Sequence, residues 1–220
     1  MWREAPVAAH ARRGFSSFVL VCCLVLSTAS AQQTFTSEAD FLAATPPLSM
    51  ESFEGLTPEN AIDQHSSLPL TDFTVSTLDA HLSVWDIPFN GGHATDGNNF
   101  VRHSGAPIGI ASNYMTLTFN ASIFALGINI TDWGDFGTAG TLTYTDDAGG
   151  NHQVAVTPQA NEAELFFGIV SLLPITSATL AHDSEGEGFS IDEVYYGVPE
   201  PTTLSLCAIA SMTLLRRRPG

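Results

Sequence analysis

The chain has no lysine, and its seven arginines face 23 acidic residues. Six of those arginines stand near the ends: Arg3, Arg12 and Arg13 at the start, Arg216, Arg217 and Arg218 at the finish. Glu4 and Glu200 also fall in these flanks, so residues 32–198 keep 21 acids and one base, Arg102, for a net charge near −20. Such a body repels nucleic acid, whose affinity rests on lysine and arginine contacts to phosphate, so no nucleic-acid partner is expected. It also repels anionic lipid and acidic polysaccharide unless divalent cations bridge the two. Solubility in a salty medium, calcium-dependent structure and cation-bridged matrix contact each account for the acidity. Cysteine is equally scarce: Cys22, Cys23 and Cys207 all lie in the flanks, so the body must be stable without disulfides. Its length suffices for one domain with a sizeable core.

The flanks carry the clearest signals. The basic stretch through Arg13 precedes an apolar run over 15–26, and Ala29-Ser30-Ala31 supplies a small-x-small cleavage site. Residues 1–31 therefore read as a signal peptide, with Ala29 and Ala31 at the cut and a mature start near Gln32. The run is too short for an ordinary spanning helix, which needs about 20 apolar residues. At the other end, Pro199-Glu200-Pro201 breaks the chain from the body, an uncharged apolar stretch follows over 202–215, and Arg216-Arg217-Arg218 closes it. That order resembles the PEP-CTERM sorting signal of bacterial surface proteins, although the apolar stretch is shorter than the family's common form. The resemblance implies handling of residues 198–220 by an exosortase-type membrane transpeptidase, after passage through the export translocase and signal peptidase. It further implies transient anchoring in the membrane by a hydrophobic sorting helix, then display at the cell surface or release outside the cell.

Between the flanks, residues 32–197 read as one all-β domain with a single short N-terminal helix. Thr36 or Ser37 caps a helix that runs to Ala44, with acids in its first turn, and Pro46-Pro47 stops it. Period-two alternation then dominates. Met115, Leu117 and Phe119 alternate with threonines, and Phe124, Leu126, Ile128 and Ile130 continue the pattern. Leu142 and Tyr144 lead through the turn 146–151 into Val154 and Val156, predicting a hairpin. Strands are expected at 165–170, 175–180 and 189–196, with weaker ones at 48–53, 73–77, 82–86 and 100–103. Long loops are expected over 54–71 and 87–113. Many short strands between turn signals predict an antiparallel β-sandwich, jelly-roll-like in architecture.

Phe41-Leu42-Ala43-Ala44, Phe53-Glu54-Gly55, Phe124-Ala125-Leu126-Gly127 and Phe167-Gly168-Ile169 resemble segments of lectin-like β-sandwich bodies found with PEP-CTERM tails. So does the last strand, Phe189 to Gly197, whose own residues pose a problem. Phe189 and Ile191 share one face, yet Val194 and Tyr196 fall out of phase with them, so a bulge is predicted near Asp192-Glu193. Just upstream, Asp183, Glu185 and Glu187 alternate through a glycine-rich turn, and with Asp192 they form a candidate calcium site. The spacing is not that of an EF-hand, since the twelfth position from Asp183 is Val194. The resemblance adds Glu51 or Glu54, implying a calcium that ties an early strand to the last.

Sugar binding requires an aromatic platform flanked by polar groups. Asp132-Trp133-Gly134-Asp135 has that composition in an expected loop, which makes Asp132, Trp133 and Asp135 candidates, whereas Trp85 is assigned to the core. Nothing in the sequence supports catalysis: there is no Gly-x-Ser-x-Gly elbow, no His-Glu-x-x-His and no phosphate-binding lysine loop. His65, His81, His93, His103, His152 and His182 are scattered and read as exposed. The expected protein is a non-enzymatic, exported β-sandwich that contacts exopolysaccharide. The alternatives are a dedicated carbohydrate-binding module, a jelly-roll glycoside hydrolase or lyase, and an ice-binding protein. The last needs a regular threonine face, for which the Thr116/Thr118 and Thr141/Thr143/Thr145 rows are short.

Overall fold

The computed structural model describes residues 32–45, 47–61, 64–78, 81–89, 91–104, 113–133, 140–157, 163–182 and 188–197. Both flanking signals lie outside them. Among the described residues no helix is long and apolar enough to cross a membrane.

Two long strands organise the body. Strand β7 (Asn113–Thr131) and strand β10 (Glu164–His182) pair antiparallel along most of their length. Each belongs to one sheet in its first part and to the facing sheet in its second. The first sheet runs β3 (Ser67–Pro69), β4 (Phe73–Ser76), the first part of β7, the second part of β10, β8 (Gly140–Asp146) and β9 (Asn151–Val156). The second runs β5 (Leu82–Trp85), β6 (Phe100–His103), β11 (Phe189–Gly197), the second part of β7, the first part of β10 and β1 (Gln32–Phe35). Strand β2 (Ser49–Glu51) adds to the far end of β11. Every pairing among the described residues is antiparallel, and the two layers share one apolar core, as expected of a β-sandwich.

Alternation fills the space between the sheets. Leu117, Leu142, Ala178 and Leu180 from the first meet Val101, Ile128, Ile169 and Ile191 from the second. Apolar packing of this kind is the main stabilising term for a domain without disulfides. The alternation changes phase where β7 passes between sheets. Ile123 enters the core and Phe124 stays half-exposed, contrary to the expected run from Phe124. The segment 54–71, expected as loop throughout, contains β3, whose Leu68 packs into the core.

A second, smaller core lies on the outside of the second sheet. Helix α1 (Glu38–Ala44) is capped by Ser37, whose Oγ accepts from the Asp40 N–H at 3.4 Å. The helix turns the fully buried Phe41 onto the strands, against Phe35, Ala125, Phe166 and Tyr195. Gly127 and Gly168 face each other across β7 and β10 directly beneath that ring. A Cβ on Gly127 would stand 2.6 Å from the Phe41 ring, and one on Gly168 2.8 Å, so the two glycines form the seat of the helix.

Candidate functional site

The phase problem of the last strand is solved by the expected bulge. Asp192 pairs with Asn129 and Val194 with Ile128, leaving Glu193 as the extra residue with a φ of 44°. Left-handed backbone at a glutamate is uncommon, and here it turns two successive carboxylates into a polar layer outside the second sheet. Asp192, only 1% exposed, is fully used. Its Oδ2 accepts from the Thr95 N–H at 2.8 Å, the Asp96 N–H at 3.0 Å and the Thr95 hydroxyl at 3.1 Å. Its Oδ1 accepts from the Glu193 N–H at 2.8 Å. Burial nevertheless raises the Asp192 carboxyl above its ordinary value, against the opposing pull of those hydrogen bonds.

The other end of the same loop is held by Glu54. One oxygen, Oε1, accepts from the N–H groups of Asn98 and Asn99, both at 2.7 Å. Gly97 between the two anchors has a φ of 68°, and a side chain there would run into the Glu54 carboxylate. Asn99 completes the clamp, donating to the Phe53 and Leu56 carbonyls at 3.3 and 3.0 Å.

Beside the clamp, Glu193 and Glu38 converge on shared donors. Asn129 Nδ2 lies 2.7 Å from Glu193 Oε2 and 3.3 Å from Glu38 Oε2. The Tyr195 hydroxyl lies 2.7 Å from Glu38 Oε1 and 3.0 Å from Glu193 Oε1, although it has one proton to give. Burial first, then these two carboxylates, drive the Tyr195 phenol well above its ordinary value. The cluster thus locks the start of α1 to the sheet through charge-assisted hydrogen bonds.

Of the candidate calcium ligands, only Glu51, Glu54 and Asp192 lie among the described residues. Asp183, Glu185 and Glu187 lie outside them. Glu51 turns back to accept from the Phe53 N–H at 2.8 Å, while Glu54 and Asp192 hold opposite ends of one loop. Among the described residues no three His, Cys, Asp or Glu side chains are grouped to hold a metal ion. The Asp192 oxygens and Glu54 Oε1 accept from N–H and O–H donors of the 95–99 loop and of Glu193.

The candidate sugar platform is a correction. Trp133 is 0% exposed, edge-on to Phe189 at 4.8 Å and to His182 at 5.4 Å, with Gly140 leaving the room its indole fills. A ring so enclosed offers no face to a sugar. Asp132, with a φ of 62°, turns inward to Arg102, whose Nη2 is 3.2 Å from Asp132 Oδ2. Arg102 also reaches the Ser190 hydroxyl at 3.3 Å and lies over the Phe89 ring at 5.6 Å. Asp135 falls outside the described residues, as do Ala29 and Ala31 of the expected cleavage site and all of Pro199-Glu200-Pro201 and Arg216-Arg217-Arg218, expected as a sorting signal. Gln32 opens β1, and its Oε1 accepts from the Tyr144 hydroxyl at 2.8 Å. His103 and His182, expected to be exposed, are buried aromatic partners of Phe189 and Trp133. Trp85 is core, as expected, stacked on Phe89 at 4.5 Å.

What local spacing could not reveal is how the short threonine rows line up. Across the first sheet the register sets Ser67, Ser76, Thr116, Thr179, Thr143 and Gln153 side by side. Two residues along, Pro69, Thr74, Thr118, Ser177, Thr145 and Asn151 form a second row. All of these point away from the core and are exposed or half-exposed.

No family model matches the sequence, and no curated protein matches it. Solved structures do. A family 61 carbohydrate-binding module in complex with β-1,4-galactotriose is 15% identical, over 68% of this chain and 99% of that one, with a TM-score of 0.43. A cleaved adhesin domain of Lys-gingipain is 13% identical, over 69% of this chain and 100% of its own, with a TM-score of 0.47. A family 29 carbohydrate-binding module is 12% identical, over 72% and 99%, with a TM-score of 0.39. Likenesses this distant carry nothing about the ligand of this chain.

Proposed function

We propose that this chain is an exported, surface-sorted protein whose acidic, non-catalytic β-sandwich works in an extracellular polysaccharide matrix. The distribution of positive charge supports this reading. All but one of the arginines sit in two terminal segments that read as export signals, and the one left in the body is buried against Asp132. The surface that meets the medium therefore carries no lysine and no exposed arginine among the described residues. The terminal order of Pro199-Glu200-Pro201, apolar stretch and arginines gives an exosortase-type transpeptidase as the partner that completes sorting. A non-catalytic role is favoured by the carboxylates themselves. The clustered ones, Glu38, Glu54, Asp192 and Glu193, are tied to structural donors rather than free to act as acid and base.

Fractionation of cells carrying the full chain and a form ending at Val198 tests the proposal. The full chain is expected at the cell surface or in the medium, with the tail removed, and the shortened form is expected to lose the surface fraction. Identical distribution of the two forms would refute the sorting role of the tail.

A further inference from the structure

The outward side of the first sheet is an array of hydroxyls without charge. In the central row Thr116 Oγ1 and Thr179 Oγ1 are 2.8 Å apart, and in the next the Thr145 hydroxyl donates to Asn151 Oδ1 at 2.9 Å. Cross-strand contacts of this kind fix the rotamers, so the array is held in register rather than mobile. A third row adds Tyr114, Ala181, Thr141 and Ala155. No aspartate or glutamate stands in any of the three rows, although the body holds 21. Threonine suits a strand face by itself. That preference does not explain why six strands align hydroxyl and amide side chains along the central row, with no acid in any of the three rows.

We propose that this face binds a neutral, extended, β-linked glucan laid across the strands, which supplies a ligand for the matrix role proposed above. The chemistry excludes the other partners. An anionic polymer finds no cation to pair with, a cationic one is drawn to the acidic remainder of the surface, and a lipid surface finds no large apolar side chain apart from Tyr114 at the margin. A neutral glucan presents hydroxyls that both donate and accept, matching a row of groups with the same dual capacity. Neighbouring strands step by about 4.8 Å, close to the advance of one sugar residue in an extended chain, so each sugar meets a new strand. Threonine methyls between the hydroxyls offer contact to the C–H faces of the rings.

The test is retention of the purified full chain on microcrystalline cellulose and its retardation in gels containing soluble mixed-linkage β-glucan, with alginate as the anionic comparison. Retention by the neutral polymers and not by alginate is expected. Thr143→Glu and Thr179→Glu should each weaken it at least tenfold, and Thr57→Glu, on an exposed loop off this face, should leave it unchanged. The double variant Thr143→Val/Thr179→Val keeps the shape without the hydroxyls and should bind at least threefold more weakly, so a misfolded glutamate variant does not decide the matter. Failure of the parent to bind either neutral polymer overturns the proposal. So does undiminished binding by the valine double variant. Inhibition of ice recrystallisation by a parent that binds no glucan overturns it as well and assigns the face to ice. Retention in vitro does not depend on the tail, so these results stand apart from the fractionation experiment, and either can fail alone.

Discussion

Replacing Arg102 with Met should cost far more than the loss of one surface charge. Arg102 and Asp132 are each 5% exposed at the side chain, with 3.2 Å between nitrogen and oxygen. At that separation and an effective dielectric near 20, the gross attraction is about 5 kcal/mol. Methionine keeps the packing against Phe89 but leaves the Asp132 carboxylate buried without its cation, and breaking a buried pair in this way costs about 3–5 kcal/mol. Asp132→Asn keeps the left-handed backbone, which asparagine tolerates, and removes the charge. The double variant Arg102→Met/Asp132→Asn should therefore be more stable than Arg102→Met alone, closing a cycle with a coupling of roughly 1.5–3 kcal/mol, the worth of a hydrogen bond to a charged group. Urea unfolding followed by circular dichroism gives each corner of the cycle. The cost should persist at high salt, because a buried pair is screened much less than an exposed one. A loss below about 1 kcal/mol, the range of surface pairs, or one that salt abolishes, would refute the buried-pair reasoning.

Three other perturbations probe the seat, the turn and the clamp. Gly127→Ala drives a methyl to 2.6 Å from the Phe41 ring and should cost about 1–3 kcal/mol by overpacking. In a Phe41→Ala background the same methyl enters vacated space and should cost little, and equal costs in both backgrounds, read by denaturant melts, would contradict the seat. Asp146 is held below its ordinary value of 3.8, chiefly by the hydrogen bond from His152 and then by the Gly150 N–H. A carboxyl with a lowered folded value contributes stability that is present above 3.8 and lost as pH falls below it, so Asp146→Asn should flatten the parent's acid-side fall in melting temperature. An unchanged slope below pH 3.8 would count against that assignment. Asp192→Ala removes the acceptor for Thr95 and Asp96 but leaves Glu54 on Asn98 and Asn99. Amide exchange should quicken at least tenfold at the first pair and less at the second, and uniform rates across the loop would argue against two separate anchors.

The parts of this fold legible in the sequence were those governed by neighbours a few residues apart. A cap at Thr36 or Ser37, the 146–151 turn between β8 and β9, and the bulge at Asp192-Glu193 all follow from local spacing; the turn and the bulge are observed, and Ser37 is the cap. What escaped depended on contacts between distant segments. Phe35, Phe166 and Tyr195 face away from the main core, and alternation alone assigns such residues to solvent until α1 is placed over them. The pairing of Gly127 with Gly168 was a usable clue, since glycine inside a strand often marks a close approach by another group. Trp133 and Asp132 misled for a similar reason: a sugar-like composition in a loop says nothing about whether Phe189 and Arg102 lie behind it. The threonine rows needed the register of six strands, and no window along one strand contains that information.

A chain without lysine has to neutralise its carboxylates by other means, and the structure shows what replaces the missing cations. Asp192, Glu54, Glu51 and Asp146 each accept backbone N–H groups, two from distant loops and two within their own turns. Peptide N–H groups do the anchoring that ion pairs or disulfides perform elsewhere. The acids committed to structure in this way stand outside the three rows of the first sheet's outer face. The clamp at Asp192 and the uncharged hydroxyl rows are thus linked through charge. The first holds the 95–99 loop on the second sheet by carboxylates, and the second remains neutral because the acids are placed elsewhere. Charge added to the rows should therefore disturb binding before it disturbs folding, since Thr143 and Thr179 point outward from strands already fixed by Leu142, Ala178 and Leu180 beneath.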